Sequence, residues 1–210
     1  MIARIQVLPV QILPSKIIPG KILTVALLLV SLLGVTTVSA QEIDMTLSND
    51  SAQFRYITHS NAGFGDSEID FGVLYTNSDE LMGMAGLMVV DEAGSGSPGL
   101  KVGLGIKAFT VSATKVGNFD AAALSLGGEL HYTLPGFNDR LALNGQVFYA
   151  PDIVSFMDAN RFMYSTARIE YEVLPQAVVY LGYRRVRIGL SAMPSITLDS
   201  DTHLGVQFYF

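Results

Sequence analysis

The chain contains two groups of side chains whose types and spacing are suited to hydrolysis. The first group is Ser125, Glu129 and His131, and the second is Asp199, Asp201 and His203. A histidine between a carboxylate and a hydroxyl or water acts as a general base in hydrolytic sites. Carboxylates near loops are more often plain solvated charges. We therefore expect no enzyme and keep a hydrolase as an alternative.

Ten charged residues form a larger set, because each of them alternates with apolar neighbours. The set comprises Arg55, Asp70, Lys101, Lys107, Glu129, Arg140, Arg168, Glu170, Glu172 and Arg184. Side chains two residues apart lie on the same face of a strand, so this spacing predicts that all ten point to one side of a sheet. Opposite charges gathered in this way neutralise one another or line a polar conduit. The chain has no cysteine, and we expect no metal site and no cofactor.

The first forty residues predict a secretory signal peptide. Basic residues precede an uncharged apolar run over residues 22–35, and Val38 and Ala40 supply the small side chains of a cleavage site. We predict cleavage between Ala40 and Gln41. An uncleaved anchor is the alternative, but about 14 apolar residues are fewer than the roughly 20 that span a bilayer. Residues 41–210 lack three of the 13 basic residues and keep all 19 acidic ones, and their net charge of −9 argues against a nucleic-acid partner.

The exported part is dominated by apolar and polar residues that alternate with a period of two. Examples are residues 69–75, 100–108, 167–173 and 204–210, and this period indicates β-strands. Many runs extend over about 10 to 14 residues, against about 5 to 6 in soluble proteins and roughly 9 to 11 across a membrane. Strands cross a bilayer only as a closed barrel. We predict an all-β, antiparallel, up-and-down transmembrane barrel of ten strands, with eight as the alternative, since bacterial barrels have even strand numbers.

The predicted connections alternate in character. Turns rich in glycine or proline occur at residues 92–99, 134–139 and 174–177, whereas loops follow residues 76, 111, 150 and 190. Transmembrane barrels have short turns on the periplasmic side and longer loops outside. We therefore place the turns inside and the loops outside.

The chain ends on an alternating apolar stretch whose last residue is aromatic. Leu204, Val206, Phe208 and Phe210 share one strand face, which we expect to face lipid, with Phe210 in the aromatic girdle at the interface. The pattern resembles the C-terminal sorting signal of bacterial outer-membrane proteins, a final phenylalanine preceded by apolar residues at every second position. The resemblance implies recognition by periplasmic chaperones and by the barrel-assembly machinery of a Gram-negative bacterium.

A second resemblance covers much of the exported chain. Within residues 148–186, Ala150-Pro151-Asp152 follows a tyrosine-containing strand, Ala167-Arg168 lies in the next strand and Gly182-Tyr183-Arg184 in the one after. Together with the glycine-rich alternation of residues 100–111, these motifs resemble the YfaZ family of outer-membrane proteins. The resemblance implies a barrel in the bacterial outer membrane and brings no reaction with it.

The barrel topology turns the charged set into a functional prediction. Barrels of about eight strands have interiors just filled by side chains, so we expect the ten charges to plug the lumen or to leave a narrow channel. A small porin-like pore is the alternative. In this topology His131 falls near the periplasmic end, whereas His203 and its two aspartates fall at the extracellular rim, where a hydrolase would need them. A soluble lipocalin-like barrel would require an apolar inside and a polar outside.

A further candidate site lies on the predicted outer wall. Strand residues alternate faces, so Arg185 and Arg187 share the face opposite Arg184, together with Leu181. An arginine facing lipid costs about 2 to 4 kcal/mol at the midplane and about 0 to 1 kcal/mol near the interface. We therefore place both at the outer rim, in contact with outer-membrane lipids and the phosphates of lipopolysaccharide. A bulge that turned the pair into the outer loop would leave plain solvated charges.

Overall fold

Ten long strands make up most of the described chain. The computed structural model describes residues 40–60, 66–94, 98–113, 119–136, 138–191 and 194–210, so residues 1–39 of the predicted signal peptide lie outside the described residues. The strands are β1 Gln41–Ser48, β2 Ser51–Ser60, β3 Asp66–Thr76, β4 Glu80–Glu92, β5 Leu100–Ala113, β6 Phe119–Thr133, β7 Leu141–Ala150, β8 Ser155–Met157, β9 Ala159–Leu174, β10 Ala177–Leu190 and β11 Ile196–Tyr209. Among the strands of the described ranges, β8 has three residues and the other ten have 8 to 16.

The long strands form one closed antiparallel sheet. Consecutive long strands pair with each other, and β1 pairs with β11, from Glu42 opposite Tyr209 to Ser48 opposite His203. Closure satisfies the backbone donors and acceptors that an open edge would expose to hydrocarbon. The predicted up-and-down barrel is confirmed, with ten long strands in the described residues rather than eight.

The two ends of the barrel carry different connections. The first residue of the sheet, Gln41, and the last residue of the chain, Phe210, lie at the same end of the barrel. The connections that follow β2, β4, β6 and β9 lie there too. We call this the terminal end and the opposite one the loop end. The short turns predicted from sequence fall at the terminal end, so the predicted topology places it in the periplasm.

Two features of the loop end differ from the sequence prediction. The strand β11 begins at Ile196, seven residues before His203, so the preceding loop is shorter than expected. The connection after β7 contains a 3-10 turn at Asp152–Val154 and then β8, which pairs with residues 121–123 of β6. No helix in the described ranges is long and apolar enough to span a membrane.

The outer surface of the barrel is apolar. Leu104, Leu126 and Leu204 are 70%, 71% and 66% exposed, and they alternate along their strands with inward-facing residues. This surface is typical of a wall in contact with lipid. It excludes the soluble, lipocalin-like alternative, which requires a polar exterior.

The interior is divided into two layers. The loop half contains an apolar layer that includes Leu74, Met82, Phe109, Val111, Phe148, Phe162, Tyr164, Val186 and Ile188, all at most 4% exposed. Near its centre the ring of Phe109 stacks on Phe162 and Tyr164, with centroid distances of 4.5 and 5.5 Å. The loop half also contains a smaller buried polar group, made up of Ser51, Gln53, Arg184 and Asp199. The half toward the terminal end is polar. The sequence predicted the polar half of this interior but not the apolar layer.

The predicted sorting residues lie on the outer wall at the seam between β1 and β11. Leu204, Phe208 and Phe210 are exposed and Val206 is half-buried. Gln41 and Phe210 exchange two backbone hydrogen bonds, of 3.0 and 2.9 Å. Phe210 therefore adds only the outermost pair of the seam.

Deleting Phe210 is predicted to impair assembly more than stability. The deletion removes two backbone hydrogen bonds at a rim, each worth only about 0.5 to 1.5 kcal/mol net, whereas it removes the whole aromatic end of the sorting pattern. We expect less folded protein in the outer membrane of cells, while the purified variant refolds in detergent almost like the parent. Phe210→Tyr, which keeps an aromatic end, is the control. Equal membrane amounts of parent and deletion variant would contradict the prediction.

Candidate functional site in the barrel interior

A chain of ion pairs crosses the polar layer. The pairs are Glu170 Oε1 to Arg168 Nε (2.5 Å), Arg168 Nη1 to Asp44 Oδ2 (3.0 Å), Asp44 Oδ2 to Arg55 Nη1 (3.6 Å), Arg55 Nη2 to Asp70 Oδ2 (3.6 Å) and Asp70 Oδ1 to Lys107 Nζ (3.1 Å). We call these six residues the charge belt. They come from five strands, and each is at most 9% exposed. Its three positive and three negative side chains balance, and pairing is the condition under which charges are tolerated in an interior.

Asp44 joins the two halves of the belt, because its carboxylate contacts two arginines. Its other oxygen, Oδ1, accepts a hydrogen bond from the hydroxyl of Tyr180. The ring of Tyr180 also lies 4.8 Å from the guanidinium carbon of Arg168, which is a cation–π contact. The ten predicted charges do not include Asp44. In the sequence, the alternation of Asp44 with the apolar Ile43 is the signal that identifies Asp44 as inward-facing.

The belt continues through a neutral side chain and returns to its start. Nζ of Lys107 lies 3.5 Å from Oε1 of Gln146, whose amide nitrogen donates to Glu129 at 2.5 Å. Two residues farther along β6, Nδ1 of His131 lies 3.5 Å from Oε2 of Glu170. Polar contacts therefore reach β6 from both ends of the belt and connect strands that are far apart in sequence.

A second buried cluster lies around Arg184, which is 1% exposed. Its Nε donates to Asp199 at 2.6 Å, its Nη2 donates to Ser51 at 2.8 Å and its Nη1 donates to the side-chain oxygen of Gln53. Every nitrogen of the guanidinium thus has an acceptor. This cluster ties β10 and β11 to β2 across the lumen.

A β-bulge in β11 brings Asp199 into this cluster. The register between β10 and β11 shifts because Leu198 is an extra residue in β11. Leu198 and Asp199 are consecutive, yet they are only 7% and 5% exposed, so both point inward. Simple alternation along β11 could not have predicted this.

The residues of the alternative hydrolytic site do not meet at the extracellular rim. His203 is 4% exposed and packs inside the barrel, with its ring edge-on to Tyr180 at a centroid distance of 5.9 Å. Asp199 is engaged by Arg184. The physical reason is that β11 begins at Ile196, which places all three residues within the strand rather than in a rim loop.

The other hydrolytic group is not assembled either. The hydroxyl of Ser125 donates to the backbone oxygen of Lys107 at 2.7 Å, and His131 contacts Glu170 instead of Glu129. Among the described residues, no cluster of histidine, aspartate and glutamate has the arrangement of a metal site.

Two glycines provide the space that these polar side chains occupy. A Cβ atom on Gly86 would overlap the carboxylate of Asp70 and lie 2.8 Å from Cγ of Lys107. A Cβ atom on Gly205 would overlap the ring of Tyr180. Any larger residue at either position would push the belt out of place.

A cavity of about 280 Å³ lies next to the belt and opens at the terminal end. We call it the vestibule. Its lining includes seven carboxylates and three arginine or lysine side chains: Glu42, Asp66, Glu68, Asp91, Glu92, Glu129 and Glu170, and Arg55, Lys101 and Arg168. The lining is therefore acidic.

Several acceptors in the vestibule have no protein donor. Glu68 is 8% exposed, and no described residue forms an ion pair or hydrogen bond with its carboxylate. The amide nitrogens of Asn144 and Gln207 donate to Glu129 and Glu42, which fixes both amide orientations and leaves the oxygens Oδ1 and Oε1 without a partner. The two amide oxygens are buried, and buried acceptors without a protein donor are normally satisfied by water or a ligand.

The structure brings six of the ten predicted charges together in the belt and in the Arg184 cluster, and Gln146 joins Glu129 to them. The other three, Lys101, Arg140 and Glu172, lie apart from the belt. Lys101 lines the vestibule and is exposed. Arg140 is exposed at the terminal end, beside the half-buried Glu172. None of these three forms an ion pair with a described residue. They lie near strand ends, where water competes for the charge.

Comparisons with known proteins give one family and several solved structures of low sequence identity. The family model described as YfaZ precursor matches residues 20–210. Among solved structures, the outer membrane channel DcaP of Acinetobacter baumannii is 13% identical with a TM-score of 0.38; the match covers 80% of this chain and 54% of DcaP, so the chain spans about half of that protein. The KdgM porin in complex with disordered oligogalacturonate is 11% identical with a TM-score of 0.42, and the match covers 81% of this chain and 99% of that one. A comparison with curated protein sequences gives no significant match.

Replacing Arg168 by alanine is predicted to destabilise the barrel by about 3 to 5 kcal/mol, because it leaves buried carboxylates uncompensated. Asp44 would keep Arg55 as its one ion-pair partner among the described residues, and Glu170 would keep His131. The chain has no tryptophan, so unfolding in detergent with urea is best followed by circular dichroism.

Arg140→Ala is the matched control, because this arginine is exposed and unpaired among the described residues. It should change stability by no more than about 0.5 kcal/mol. Similar effects of the two substitutions would show that the belt contributes nothing specific.

Proposed function

Because the chain belongs to the YfaZ family and forms a bacterial outer-membrane β-barrel, we propose that it is a plugged barrel that does not conduct solutes passively. Among the described residues, the apolar layer and the Arg184 cluster fill the loop half of the lumen, and the vestibule opens at the terminal end. The proposed plug is not purely electrostatic, because an apolar layer and the charge belt together close the lumen.

The buried apolar layer is the observation that carries the proposal. Phe109 and Phe162 are each 1% exposed, and Phe148 is 0% exposed. Interiors packed in this way contain few voids larger than a water molecule. An ion that crossed the layer would lose its hydration without gaining a polar partner, which is strongly unfavourable. A porin-like pore would instead need a continuous polar path through the loop half.

Planar bilayer recordings test this closure. We expect the parent protein to show no steady conductance after insertion is verified by flotation of proteoliposomes. The double variant Phe109→Ala, Phe162→Ala should show small conductance steps, because it removes two stacked rings from the layer. The variant Leu104→Ala, Leu126→Ala, which truncates two lipid-facing side chains, should stay silent. A large and stable conductance in the parent would contradict the plug and favour the porin-like alternative.

A second candidate function is binding of a small organic cation in the vestibule. The specific support is the pair of buried amide oxygens without donors, on Asn144 and Gln207, together with the acidic lining that includes Glu68. An amine would supply N–H donors to these oxygens and a positive charge to a lining with more carboxylates than bases. In the predicted topology the ligand would enter from the periplasm.

Spermidine is a suitable probe for this candidate. Spermidine should raise the unfolding temperature of the parent barrel more than sodium chloride of equal ionic strength. The stabilisation should be lost in the variant Glu68→Gln, Glu129→Gln and retained in Asp152→Asn, which changes an exposed carboxylate at the loop end. An equal shift in all three proteins would mean that the vestibule does not bind the amine.

A further inference from the structure

Three arginines lie together on the lipid-facing wall. Arg161 of β9 and Arg185 and Arg187 of β10 are exposed and alternate with buried, inward-facing residues. The bulge at Leu198 belongs to β11, so the alternation of β10 continues undisturbed through both of its arginines. The pair is therefore not turned into the outer loop.

The three side chains are close enough to act on one ligand. Arg187 lies opposite Met163, and Arg161 is two residues from Met163 on the neighbouring strand. Such diagonal neighbours are about 7 to 8 Å apart. Arg185 and Arg187 are separated by two strand positions, or about 7 Å. A surface groove of about 200 Å³, lined by Arg161, Arg187 and Tyr149, lies between β7, β9 and β10.

The protein itself does not neutralise this positive charge. No carboxylate of the described residues forms an ion pair with Arg161, Arg185 or Arg187, whereas the inward-facing Arg55, Arg168 and Arg184 all have such partners. The outward-facing positions that the structure describes on β9, β10 and β11 contain no aspartate or glutamate. These exposed cations at the edge of an apolar layer are therefore available to an external anion.

Their depth identifies the interface at the loop end. A strand tilted by about 45° rises about 2.3 Å per residue along the barrel axis, so Arg185 and Arg187 lie about 19 and 23 Å above Ala177. The apolar band of an outer-membrane barrel is about 25 Å tall. Arg161, which lies opposite Gly189, is slightly higher still. All three guanidinium groups therefore reach the phosphate level of the outer leaflet, since the loop end faces outside in the predicted topology.

We propose that Arg161, Arg185 and Arg187 form a binding site for the phosphate groups of lipopolysaccharide. A guanidinium donates two parallel hydrogen bonds to one phosphate, and three of them match a lipid that carries phosphates on a rigid sugar headgroup. The site holds the lipid against the outer wall of β9 and β10. It is independent of whether the lumen conducts.

The test measures binding of purified lipopolysaccharide to the refolded protein in detergent micelles. The triple variant Arg161→Gln, Arg185→Gln, Arg187→Gln should bind about 3-fold to 150-fold more weakly, since each of three exposed ion pairs contributes about 0.2 to 1 kcal/mol and 1.4 kcal/mol is tenfold. The corresponding triple lysine variant keeps the charge and should retain part of the affinity. Lys101→Gln, Arg140→Gln is the matched control, because it removes two positive charges at the opposite end.

Two further ligands separate phosphate recognition from general attraction to anionic or apolar lipid. Enzymatically dephosphorylated lipopolysaccharide should bind the parent as weakly as the intact lipid binds the glutamine variant. If that variant fails to fold, the comparison of the two lipids on the parent protein still tests the proposal. Phosphatidylglycerol micelles should bind the parent more weakly than lipopolysaccharide does. Unchanged binding by the glutamine variant, an equal loss in the control variant, or equal binding of phosphatidylglycerol or of the dephosphorylated lipid would each overturn the proposal.

Discussion

Backbone hydrogen bonding is the constraint on which the rest of this barrel depends. No water in the hydrocarbon layer replaces a missing partner, so the sheet has to close, and it closes where β1 meets β11. Closure also fixes the two environments of every strand. Alternate residues face either lipid or lumen, and a lumen enclosed by ten strands is narrow enough to be filled by side chains.

The filling follows from what each side chain needs at its depth. The six charges of the belt are tolerated because each has a partner on another strand, and Asp44 serves two arginines at once. The same contacts favour one register. A slip of β1 by one residue would turn Asp44 toward lipid and leave Arg55 and Arg168 with one carboxylate fewer. We infer that the belt stabilises the correct alignment of strands that are distant in sequence.

Two surfaces of the barrel carry charged side chains that do not form ion pairs with other described residues. One is the acidic vestibule, where Glu68 has no described partner, and the other is the basic patch on the outer wall. Their signs are opposite and they lie at opposite ends of the barrel.

Local patterns in the sequence determined the strands, their number, the apolar exterior and most of the inward charges, because a period of two is a property of each strand alone. The same alternation indicates that Asp44 faces inward, although the predicted set of ten charges does not include it. Tertiary structure decided which charges meet. Arg168 pairs with Asp44, 124 residues away, and only the order of strands around the barrel brings them together. The extra residue Leu198, the early start of β11 that buries His203, and the apolar layer around Phe109 also depend on the register of neighbouring strands. Register is set when the sheet closes, and no single segment of the sequence contains it.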